Sequence, residues 1–165
     1  MDAAFYSVIL GSAIGFITTL ASAQYVAYQN KRSQEKSLKL SITLELRDTI
    51  KILDEIKNQQ GLQNFYDYIQ LDTLKGNVES LQSIKKNIHL IKNESVQTNT
   101  YSLIGKLSTL SADMRGIQDY EYAKTKISKD DAASKVKLIE KKRNRHAMEM
   151  IEIRKDIEDL IKKLT

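Results

Sequence analysis

The sequence predicts an all-α protein: one N-terminal transmembrane helix continuing into a cytoplasmic helical bundle. Three observations carry this. The 165 residues contain no proline and only six glycines, so the strongest helix breaker is absent. From Ile42 onward, apolar residues recur at spacings of three and four. Finally, no charged residue stands between Asp2 and Lys31. The expected division is an anchor over residues 1–30 and a helical domain over residues 31–165.

The apolar part from Ala3 to Ala27 would be roughly 37 Å long as a helix, at about 1.5 Å per residue, enough to cross a bilayer with some tilt. Its C-terminal flank, "KRSQEKSLK", has four cations against one acid, whereas the N-terminal flank has only Asp2 and the terminal amine. The positive-inside rule then places the N-terminus outside and the body in the cytoplasm. Tyr6, Tyr25 and Tyr28 fall near the two ends, where interfacial tyrosines are common. A cleavable signal peptide is the competing reading, because Ala21-Ser22-Ala23 is a small-x-small triplet. Against it, the basic n-region is missing and the apolar stretch continues past the triplet. Small residues also recur at every fourth position, Ser7, Gly11, Gly15, Thr19, Ala23 and Ala27, forming one stripe on which a second helix could pack closely.

Beyond the anchor, Ile42, Leu46, Thr49 with Ile50, Leu53 and Ile56 keep helical spacing, so the first helix is expected to run on to Gly61. A shorter piece carries Phe65, Tyr66, Tyr68, Ile69 and Leu71 and ends at Gly76-Asn77. Asn77 then reads as the N-cap of a helix with Val78, Leu81, Ile84, Ile88 and Ile91 on one face. "ESVQTNT" lacks apolar periodicity and reads as a loop. From Tyr101 a further helix places Leu103, Ile104, Leu107, Leu110, Met114 and Ile117 together and ends between Tyr122 and Lys129. "SKDDAASK" reads as the start of the last helix. Its seam, His146 or Ala147, Met150, Ile153, Ile157, Leu160 and Leu164, fits a bundle core or a short coiled coil.

The residues give little support to catalysis. There is no cysteine, and the two histidines, His89 and His146, belong to no metal, dinucleotide or P-loop pattern. No metal site, catalytic set or cofactor is therefore expected. The arginine and histidine spacing of the HEPN ribonucleases is also missing, because His146 lies too close to Arg143 and Arg145. His89 reads as a partly buried, satisfied histidine beside Ile88.

Charge points to anions. All 26 Lys and Arg residues, and all but one of the 21 acids, lie from Lys31 onward; the chain carries a net +5. "KVKLIEKKRNRH" packs six cations and one acid into one helical stretch. Lys141, Lys142, Arg143, Arg145 and His146 are thus candidates for an anionic ligand, with tyrosine rings for stacking, against the alternative of a solvated basic face. A second candidate group is Lys85, Lys86 and His89, followed by Asn93, Thr98 and Asn99. Duplex nucleic acid is excluded by the small net charge and the expected tether.

The layout of an uncharged helix from Phe5 to Tyr28, a "KRSQEK" flank and a mildly basic helical body resembles the small membrane effectors of CRISPR and other anti-phage systems. That resemblance is architectural. It implies a homo-oligomer in the bacterial inner membrane that perturbs or permeabilises it when the body binds a cyclic oligonucleotide. The expected partners are then membrane lipid, further copies of the chain and that nucleotide. The alternative is a membrane-anchored helical scaffold that binds another protein.

Overall fold

A computed structural model describes the backbone of residues 3–60, 67–124 and 132–165, and the side chains of residues 15–58, 67–120 and 137–165. These residues form α1 (Ala3–Gln60), α2 (Tyr68–Ile84), a 3-10 segment (Lys85–Leu90), α3 (Glu94–Lys124) and α4 (Ala132–Leu164). The chain divides into two compact units, Met1–Ser37 and Leu38–Thr165.

The first unit is the leading part of α1. Among the described residues, no helix is long and apolar enough to cross a membrane. This corrects the expected transmembrane anchor over residues 1–30. The reason is legible in the described part of the helix. Thr18, Thr19, Ser22 and Gln24 interrupt the apolar run after Gly15, and Gln29, Asn30 and Lys31 end it. A span needs about 20 predominantly apolar residues in succession.

The second unit is the helical bundle. Ile42, Leu46, Leu53 and Ile56 of α1, Leu71, Leu74 and Leu81 of α2, Leu107, Leu110 and Met114 of α3, and Ile157 of α4 are almost completely withdrawn from solvent. They belong to one continuous core with Ile88, Ile91, Met150 and Leu160. The α4 seam therefore serves the bundle rather than a separate coiled coil. Within the unit α3 packs against both α2 and α4.

Side-chain chemistry fixes the helix ends. Asp67 is the N-cap of α2, accepting a hydrogen bond from the Ile69 N–H at 2.8 Å. Gly76-Asn77 does not end a helix as expected, because α2 runs through it. Asn77 instead engages α1: its Nδ2 donates to the Glu45 carbonyl (3.2 Å) and to Glu45 Oε2 (2.9 Å). Ser80 Oγ donates to Glu45 Oε1 at 2.6 Å, and Thr49 Oγ1 approaches Asn77 Oδ1 at 2.5 Å. One half-buried carboxylate thus fixes the register of α1 against α2.

After Ile84 the backbone tightens into the 3-10 segment, which keeps Ile88 buried and stops where Ile91 turns extended. "ESVQTNT" is helical, not a loop. Asn93 caps it, its Oδ1 accepting from the Val96 N–H at 3.2 Å. Val96 and Thr100 are buried, and the Thr100 hydroxyl returns to the Val96 carbonyl.

Candidate functional site

The segment from Gly15 to Tyr28 of α1 has the largest concentration of unburied apolar side chains among the described residues. Phe16, Ile17, Leu20, Tyr25, Val26 and Tyr28 are between 46% and 65% exposed. At about 100° per residue they point to every side of the helix rather than to one stripe. A helix with apolar side chains on every side, even one interrupted by Thr18, Ser22 and Gln24, suits burial against other apolar matter. Directly behind it, Lys31, Arg32 and Lys36 are exposed and carry positive charge.

The expected small-residue stripe falls partly on this segment. Ser7 and Gly11 have side chains outside the described residues. Gly15, Thr19 and Ala23 are exposed, and a Cβ at Gly15 would meet nothing within 4 Å. Thr19 Oγ1 donates to the Gly15 carbonyl at 2.8 Å, so its hydroxyl is used by its own helix.

The basic candidates separate into groups with different environments. Lys85 and Lys86 are exposed on the 3-10 segment. The Lys85 ammonium sits 5.2 Å from the centre of the Tyr101 ring, a cation–π contact, and the Tyr101 hydroxyl donates to the Lys85 carbonyl at 3.3 Å. His89 is exposed rather than partly buried, with Nδ1 3.0 Å from the Lys86 carbonyl. Asn93 is engaged as the cap of α3.

On α4, Lys141 and Lys142 are exposed and Arg143 is partly buried. Arg145 is held by acids: its Nη2 lies 3.0 Å from Asp113 on α3 and its Nε 3.1 Å from Glu149. His146 is completely buried in the α4 seam. Burial pushes its pKa below the usual histidine value, outweighing the nearby Glu149. Arg145 therefore already has carboxylate partners, and the imidazole of His146 presents no surface to a ligand.

Among the described residues, three of the grooves lie between α3 and α4. One of about 350 Å³ is lined by Lys106, Thr109, Glu149 and Glu152 among others. A second, of about 300 Å³, includes Asn99, Ser102, Lys106, Asp156, Asp159 and Lys163. Lys106 is shared by both and bonds Asp156 at 2.7 Å and Glu152 at 3.1 Å, which raises its pKa. A lysine so held is a poor nucleophile or base. The third, of about 360 Å³, is lined by Gly116, Ile117, Tyr120, Leu138, Ile139 and Lys142. Sequence reasoning missed all three grooves, since each joins residues of two helices.

Among the described residues, no group of three or more His, Cys, Asp or Glu side chains could hold a metal ion. No family model, curated protein or solved structure matches the chain. Several expectations rested on the transmembrane span and fall with it. They are the membrane-lipid partner, the bacterial inner-membrane location with an outside N-terminus, and the homo-oligomeric effector that permeabilises the membrane on binding a cyclic oligonucleotide. The alternative of a membrane-anchored scaffold loses its anchor for the same reason.

Proposed function

We propose that this chain is a non-catalytic helical interaction protein whose leading α1 segment seats in an apolar cleft of a different protein. The observation that carries the reading is the ring of exposed side chains from Phe16 to Tyr28. Fully burying such a side chain stabilises a complex by about 1.5–3 kcal/mol, so six supply on the order of 10 kcal/mol before association costs. Monomer surfaces rarely leave this much apolar area together. The partner's chemistry follows from the flank. A cleft that receives Gly15–Tyr28 would meet Lys31, Arg32 and Lys36 at one end, so the partner carries carboxylates there. The absence of cysteine and the positions of His89 and His146 support the non-catalytic part of the reading.

Photocrosslinking from position 20 in producing cells tests this, followed by binding of the purified adduct partner to the full chain. One discrete adduct with another protein is expected. Ile17→Glu and Val26→Glu should each weaken the reconstituted complex by tenfold or more while the far-UV spectrum stays helical. Adducts only with a second copy of the chain would overturn the reading. So would co-flotation with lipid vesicles in place of a protein adduct, or binding indifferent to both charges.

A further inference from the structure

The α3–α4 groove lined by Gly116, Ile117, Tyr120, Leu138, Ile139 and Lys142 differs from its two neighbours in charge. Both of those contain carboxylates: Lys106 meets Glu152, beside Glu149, in one and Asp156, beside Asp159, in the other. Among the described residues, the third groove has one charged lining group, the Lys142 ammonium, and no carboxylate. Apart from the Tyr120 hydroxyl, the other side chains of this described lining are apolar. Ile117 and Ile139 form buried floor, while Leu138 (55% exposed) and Tyr120 (39%) stand at the mouth. Its volume lies in the lower part of the range of about 300–1,000 Å³ common for small-ligand sites.

From this pairing of an apolar trough with a single cation, we infer that the groove binds a small amphipathic acid: an aliphatic or aromatic body with one carboxylate. The body covers Leu138 and Tyr120, and the carboxylate meets Lys142. A cation of the same shape is repelled by Lys142, and a neutral alcohol forfeits the charge-assisted hydrogen bond. Gly116 keeps the trough open. A Cβ there would meet nothing within 4 Å, so the first atom of a side chain would enter open space.

The test is titration of the ¹⁵N-labelled full chain with decanoate below its micelle concentration, with decanol and decyltrimethylammonium as comparisons. Decanoate should give saturable shifts centred on the amides of Gly116, Ile117, Tyr120 and Leu138. Lys142→Glu should weaken it at least tenfold, and Lys142→Arg should retain it. Gly116→Leu should abolish binding while raising Tm, which separates a filled groove from an unfolded protein. Equal binding of the cation, shifts centred elsewhere, no saturable shift, or unchanged binding by Gly116→Leu would each overturn the assignment.

Discussion

Asn77 on α2 donates to both the backbone carbonyl and the carboxylate of Glu45 on α1. A residue whose local sequence, Gly-Asn, marks a helix break instead lies inside a helix and links it to another. Asn77→Ala removes two donors and the acceptor facing Thr49, and it leaves half-buried polar groups unsatisfied. A net loss of about 1–2 kcal/mol is expected in urea denaturation, after alanine's better helix propensity is allowed for. Asn77→Asp should cost more near neutral pH, because it sets a second carboxylate against Glu45.

His146 makes stability depend on pH. Its folded pKa is depressed by burial, with Glu149 and Asp113 pulling upward and Arg145 and Lys142 pulling downward. The unfolded chain therefore binds a proton first as pH falls through about 6.5, and the native state loses stability until its own imidazole is protonated. Denaturation midpoints measured at about pH 7.5 and about pH 5.5 should fall more in the natural protein than in His146→Leu. Equal slopes would remove His146 as the source.

Gly105 lies in the interior of α3 and is exposed, and a Cβ there would meet nothing within 4 Å. It contributes flexibility without a packing benefit. Gly105→Ala should stabilise the fold by about 0.5–1 kcal/mol and raise Tm by about 1–4 °C in a thermal scan.

Adjacent positions on α3 should respond very differently. Leu107 is fully buried, and Leu107→Ala is expected to cost about 2–5 kcal/mol. Lys106 makes two ion pairs but is 41% exposed at its side chain, so Lys106→Met should cost less than about 1 kcal/mol. Only the Lys106 effect should shrink in high salt, which denaturation at two ionic strengths would resolve.

The seams were legible because spacing alone decides which side of a helix is apolar. Ile42 to Ile56 and Met150 to Leu164 lie in the core where periodicity puts them. What spacing conceals is tertiary. The first turns of α3 bury only Val96 and Thr100, too few to form a pattern, and their start depends on the Asn93 side chain. The change to 3-10 geometry at Lys85 is hidden because Ile84, Ile88 and Ile91 suit either helix. On the basic face, Arg145 finds Asp113, which is 32 residues away in the chain. Charge density read along one helix cannot register a neutralising group on the next.

The position of α3 sets an order for local opening. It packs against both α2 and α4, and α1 is tied to each of them through Glu45–Asn77 and Asp54–Arg154, so the centre of α3 is held from several sides. Amide hydrogens around Leu107, Leu110 and Met114, whose side chains are withdrawn from solvent, would accordingly exchange late, whereas helix ends would exchange through smaller openings. Protein turnover that begins by nicking an opened helix would start at the periphery and leave this middle segment as the last protected fragment.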